Sequence, residues 1–189
     1  MTAMTTEVLG LPRGRALTRE DLDAMPDDGH RYELLDGILV VSPAPRLVHQ
    51  QVVLMLSRVL FDACPSEFRM YFAPVDVVLA EDTVMQPDLL VAPREAFTER
   101  DLPGAPLLAV EVLSPSTRSV DLLLKKDRLR RAGCAHYWVV DPDEPSIIAW
   151  ALRDGQYVEV GRAVDGATLR LTEPFDVALA PSELVRWSN

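Results

Sequence analysis

The sequence predicts an α/β domain, a mixed central β-sheet flanked by α-helices, and three observations carry that prediction. Short β-rich apolar runs recur, and two pairs of them are joined by Asp36-Gly37 and Asp154-Gly155, the dipeptide best suited to a tight two-residue hairpin. Helix-period patterns cover Leu47 to Phe61 and Ser119 to Ala132. Between Leu107 and Val140 a strand, a helix and a second strand alternate, the order of a crossover joining parallel strands, so the sheet mixes parallel with antiparallel pairs.

In chain order, Thr18 is placed as an N-cap with Asp21 standing in for the usual Glu of a capping box, and a short helix should reach about Met25 before Pro26. Arg31 to Leu35 and Ile38 to Val41 form the first hairpin, with Glu33 on the same face as Arg31 and Leu35 by alternation. Leu47 to Phe61 is apolar around most of its circumference, which predicts a buried helix. His49 lies in its first turn beside the stripe Val53, Leu56 and Leu60.

Phe68 to Phe72 and Val75 to Leu79 are strands, and Glu81-Asp82-Thr83 is a polar turn that delivers the chain to Asp88 and the apolar run Leu89-Leu90-Val91. Pro93 to Asp101 reads as a short surface helix ended by Pro103-Gly104-Ala105-Pro106. The strand Leu107 to Leu113 contains Glu111, and Ser116 or Thr117 caps the helix that follows. There Lys125 falls on the apolar stripe of Leu122, Leu129 and Ala132, so it either snorkels past the core or points into a site. Gly133 suits the position after the helix. His136 to Val140 is a strand, Ser146 to Leu152 and Gln156 to Val160 form a hairpin, and Ala167 to Leu171 is a last short strand.

With 189 residues, 48% hydrophobic and 25% charged, the chain can build one core. Residues 17–189 are expected to form a single domain and residues 1–16 an N-terminal tail without periodicity. No basic-then-apolar leader opens the chain, and no apolar run approaches the roughly 18 residues of a membrane span, so a soluble, cytoplasmic protein with no membrane partner is expected. Cys64 and Cys134 lack metal-ligand spacing and should be free thiols. The net charge of −10 opposes general coating of nucleic acid, because nonspecific affinity comes from neutralised phosphates. The basic residues concentrate between Arg118 and Arg131, six against Asp121 and Asp127. That run is either an interaction surface or a solvated face with pairs such as Asp121 with Lys125.

The chemistry lies in two acids set in apolar strands, Asp88 and Glu111. A buried carboxylate is costly unless it meets a metal, a lysine or a compensating partner. Two carboxylates on neighbouring strands with a lysine nearby are the parts that metal-assisted phosphodiester hydrolysis uses. There is no Gly-rich phosphate loop or nucleophile elbow to suggest another chemistry.

Pro87-Asp88 followed by Glu111 in a strand resembles the PD-(D/E)XK nuclease superfamily. Arg31-Tyr32-Glu33-Leu34-Leu35-Asp36-Gly37, Ser42-Pro43-Ala44-Pro45 with His49, Gln86-Pro87-Asp88-Leu89, Glu111 to Thr117, Asp121 with Lys125, Arg131-Ala132-Gly133 and Tyr137 to Pro142 together resemble the Uma-two family of putative restriction endonuclease-like proteins. The resemblance covers roughly residues 15 to 185. It implies a restriction endonuclease-like fold and a Mg²⁺-dependent (or Mn²⁺-dependent) endonuclease acting on DNA as a homodimer. It further implies Asp88 and Glu111 as metal ligands, the Val112 carbonyl completing the protein share of the shell, and Glu33 as an extra ligand or base. The superfamily lysine position is Leu113 here, and Lys125 is the family's replacement; the resemblance gives His49 no role. The alternative is a non-catalytic interaction protein that retains the nuclease fold, the reading that the acidic surface favours.

Overall fold

A computed structural model of the chain describes residues 11, 12 and 14–186; most of the expected tail lies outside the described residues. Within it, Leu11 packs with Leu17 and Leu34. Among the described residues no helix is long and apolar enough to cross a membrane.

Helix α1 (Arg19–Asp23) begins at the Thr18 capping box, whose backbone N–H donates to Asp21 Oδ2 at 2.8 Å. Strands β1 (Arg31–Leu35) and β2 (Ile38–Ser42) pair antiparallel. The turn between them has φ of 53° at Asp36 and 74° at Gly37, the double positive φ that a two-residue turn compatible with strand twist requires. A side chain at Gly37 would also come within 2.5 Å of Ala16 Cβ, so that position is glycine for two reasons. Helix α2 (Leu47–Ala63) leads to β3 (Phe68–Phe72), β4 (Asp76–Ala80), β5 (Thr83–Met85) and β6 (Leu89–Pro93).

The expected surface helix from Pro93 to Asp101 is corrected: only one 3₁₀ turn forms at Arg94–Ala96, and β7 (Asp101–Pro103) follows. The charged residues there are used in loop contacts instead; Asp101 is buried, accepting from Thr98 Oγ1 at 2.5 Å and from Arg19. Strand β8 (Leu108–Val112) enters a helix that is π-helical over Val120–Lys125 before it becomes α3 (Lys126–Ala132). Gly133 then takes φ 86°. Strands β9 (His136–Asp141), β10 (Ser146–Arg153), β11 (Gln156–Val164), β12 (Leu169–Leu171) and β13 (Val177–Leu179) precede α4 (Pro181–Val185).

The strands divide between two principal sheets, both mixed. One runs β2-β1-β5-β4-β7, the other β11-β10-β9-β8-β6-β3, and β12 with β13 forms a separate pair. The expected crossover is present: β8 and β9 are parallel, Leu108 opposite His136 through Val112 opposite Val140. Both are buried along their whole length, as strands of a parallel pair covered on two faces must be.

Alternation along β8 sorts the core. Leu108, Val110 and Val112 face α2, packing with Val52, Leu56 and Leu60. Ala109 and Leu113 face the other way, toward Leu129 of α3 and Leu35 and Met85 of the second sheet. Glu111 lies on that second face. Helix α2 is not buried all round as its composition suggested: Leu47, Leu54 and Phe61 are exposed, because one sheet covers only one side of it.

A candidate active site between two sheets and a helix

Register builds the site. The antiparallel pairing of β6 with β8 sets Leu89 opposite Val110, so Asp88, just before β6, meets the end of β8, where the Val112 N–H donates to its Oδ2 and Glu111 projects from the face of Ala109. Strand β1 brings Glu33 to that face from the second sheet, and the helix after β8 lowers Asp121 and Lys125 onto it. All five side chains are buried.

Lys125 is 1% exposed. Its Nζ lies 2.9 Å from Glu33 Oε1, 3.1 Å from Glu111 Oε1 and 3.6 Å from Asp121 Oδ1. The pair with Asp121 exists, but in the interior rather than on a solvated face. Glu33 Oε1 also accepts the Gln86 N–H at 2.7 Å. Asp88 is held by other partners: Arg31 Nη1 at 2.9 Å, His49 Nε2 at 3.1 Å, and the Val112 N–H, which donates to Oδ2 at 2.8 Å. Arg31 Nε reaches to 3.8 Å from Glu33 Oε2, which links the two halves of the cluster.

Four carboxylates (Glu33, Asp88, Glu111, Asp121) thus meet two permanent cations, Lys125 and Arg31. A deficit of positive charge in a buried site must be met by protons or by another cation, since uncompensated buried charge costs several kcal/mol. The strain shows in titration. Burial pushes Glu111 well above the ordinary glutamate range; Lys125 opposes this, and repulsion from Asp121, Asp88 and Glu33 adds to it. Burial likewise raises Asp121 against the pull of Lys125. For Asp88 burial acts upward too, but the hydrogen bond and charge of His49, with Arg31 and the Val112 N–H, bring it below the usual aspartate range. Burial would lower Lys125, yet Glu111, Glu33 and Asp121 raise it.

Three buried carboxylate oxygens, Glu33 Oε2, Glu111 Oε2 and Asp121 Oδ1, have no hydrogen-bond donor. Buried acceptors are rarely left so, and hard anionic oxygens suit Mg²⁺. Among the described residues no three His, Cys, Asp or Glu side chains converge as a ready-made shell, because Lys125 and Arg31 stand against the near oxygens.

The sequence reading placed Glu33, Asp88, Glu111 and Lys125 at one site, and the structure brings these four together. Val112 meets the cluster through its N–H. Three members were not read as part of it. For Asp121 the sequence allows a solvated pair with Lys125, and a spacing of four residues does not distinguish that from a buried pair. Alternation puts Arg31 on the face of Glu33, but it lies closer to Asp88. His49, without a role in the sequence reading, is the Asp88 partner on α2.

Beside Asp88 opens a cavity of about 740 Å³, lined by Arg31, Tyr32, His49, Val53, Phe72, Gln86 and Ser114 to Thr117 among others.

A family model described as "Putative restriction endonuclease", Uma2, matches residues 19–182. Among solved structures, a putative nuclease from Anabaena variabilis ATCC 29413 superposes with a TM-score of 0.72 at 17% identity, over 89% of this chain and 97% of that one. No curated protein matches the chain.

Proposed function

The chain belongs to the Uma2 family of putative restriction endonucleases and has a nuclease-like fold, and on that basis we propose that it hydrolyses phosphodiester bonds of DNA as a Mg²⁺- or Mn²⁺-dependent endonuclease. The observation that carries this reading is the donorless oxygens of Glu33 and Glu111 beside the Lys125 ammonium. Asp88 and Glu111 would hold the cation. The Val112 carbonyl would join them, next to the Val112 N–H that already holds Asp88. When bound, the ion supplies a polarised scissile phosphate and a more acidic water.

The chain's own residues do the rest. Lys125 is kept protonated by three carboxylates and offers its charge to the developing phosphorane oxygens. Glu33 orients Lys125 through Oε1, and its free Oε2 accepts a proton from attacking water. Arg31, His49 and the Val112 N–H fix the Asp88 carboxylate, so little reorganisation is left for the moment of reaction.

The test is cleavage of supercoiled plasmid and of single-stranded circular DNA with Mg²⁺, with Mn²⁺, and with chelator. Activity that requires the ion and is lost in both Asp88→Asn and Glu111→Gln supports the reading. A folded, metal-loaded protein that leaves both the plasmid and the single-stranded DNA intact, and binds a protein ligand instead, would support the second reading, a non-catalytic interaction protein. That reading draws on the net charge of −10. We also propose a homodimer, because β11 is the outer strand of its sheet and carries exposed Val158, Val160 and Val164, an edge that needs cover. Light scattering at micromolar concentration checks this.

A further inference from the structure

Resting on the nuclease reading, we infer that the cavity beside Asp88 receives an unpaired strand, with a base stacked on Phe72, rather than an intact duplex.

The first observation is that the cations of the basic helix and of the cavity wall are paired within the molecule. A duplex-binding protein draws its affinity from Lys and Arg that neutralise many phosphates. Here the basic helix is already spent within the molecule. Arg128 pairs with Asp36, Arg130 and Arg131 with Asp127, Arg118 with Asp141, and Lys126 lies 3.5 Å over the Trp150 ring. The cavity's own cations are committed as well, Arg31 to Asp88 and Arg46 to Asp143. Its wall adds Asp23 and Asp76, which repel a continuous phosphate track.

The second observation is what the wall offers instead. Met25, Pro43, Val53, Phe72 and Pro74 give it apolar surface. Phe72 is 58% exposed at the end of β3. Its neighbour Tyr71 points to the other face of the strand and packs edge-on against Phe97 at 4.9 Å, so Phe72 is the ring left open to the cavity. Bases hidden in a duplex cannot use such a surface. An unpaired base can, because stacking on an aromatic ring recognises its π-face whatever its sequence. The ligand class is therefore single-stranded deoxynucleotide, gripped by bases and presented to Asp88 by one phosphate.

The experiment is fluorescence anisotropy of a labelled oligodeoxythymidylate, and of the same strand annealed to its complement. It uses the full chain in Ca²⁺, with salt varied. The expected result is tighter binding of the single strand, with a shallow salt dependence of about one released counterion. Phe72→Ala should weaken single-strand binding by about fivefold or more, the low end of base stacking, and Phe72→Trp should restore it. Phe61→Ala removes an exposed ring on the far end of α2 and should change nothing. Equal or tighter duplex binding with a steep salt slope overturns the inference, as does unchanged affinity in Phe72→Ala. Because binding is read without turnover, a protein that binds the single strand yet never cleaves would refute the nuclease reading while leaving this one standing.

Discussion

The Lys125 ammonium lies 3.1 Å from Glu111 Oε1, while Oε2 of the same carboxylate is buried with no donor. Half of that carboxylate has a cation beside it and half has none, so on the proposed metal reading Glu111 is where cation and proton would compete. Replacing it by glutamine keeps the shape and removes the charge. A group whose pKa is raised in the fold contributes stability below its ordinary range and loses it as pH rises through the folded value. Without divalent ion, Glu111→Gln should therefore melt higher than the parent at neutral and alkaline pH and about equally in acid. Its melting temperature should no longer respond to Mg²⁺. Differential scanning calorimetry with and without chelator reads both outcomes.

The same competition sets a pH profile for the parent protein. Cation binding must displace the proton that burial and acidic neighbours favour on Glu111. The Mg²⁺-induced rise in melting temperature should be small at pH values near the ordinary glutamate range and grow as pH rises through the elevated folded value. Calorimetric titration in buffers of different ionisation enthalpy should show proton release. A Mg²⁺ response that is flat with pH would contradict this charge balance.

How far the sequence disclosed the site follows from the same physics. Asp88 and Glu111 were legible because a carboxylate inside an apolar strand has few explanations, and Lys125 because it interrupts an apolar stripe. Asp121 was not, since a spacing of four residues suits a surface pair and a buried one alike. Arg31's second partner lies on another sheet, a long-range fact that alternation cannot supply. Both Asp-Gly hairpins were readable from local chemistry, and Asp154 and Gly155 have φ of 49° and 75°. The three-residue strands β5 and β7 are too short to have a period. The π-helical turn at Val120–Lys125 leaves no mark in a helix-period pattern.

Asp88 titrates in the opposite sense to Glu111. Burial acts upward on it, but His49 and Arg31 outweigh burial, so its stabilising effect is present above the ordinary aspartate range and lost as pH falls below it. Arg31→Met breaks a largely buried pair and should destabilise by about 3 to 5 kcal/mol, with the acid unfolding midpoint moved up. His49→Ala leaves Arg31 in place and should weaken Mg²⁺ binding by about 10- to 100-fold, as loss of a partner that orients a metal ligand does. Urea titrations across pH and calorimetric metal titration separate the two effects.

Lys125 gives the sharpest test, because the resemblance makes it the replacement for a lysine expected at Leu113. Leu113 follows β8, two residues after Glu111, and packs with Ala109 and Leu129. Lys125→Met strips the counter-ion from three buried carboxylates, so it should cost about 3 to 5 kcal/mol and abolish Mg²⁺-dependent nicking. Lys126→Met removes only the cation over Trp150 and should leave nicking intact. Adding Leu113→Lys to Lys125→Met returns an ammonium to the same face, from a strand instead of a helix. Partial recovery of both stability and nicking is the expected outcome, and recovery of stability alone would mark Lys125 as structural. The single variant Leu113→Lys shows whether the core tolerates the new lysine, and full nicking by Lys125→Met alone would overturn its role in the reaction.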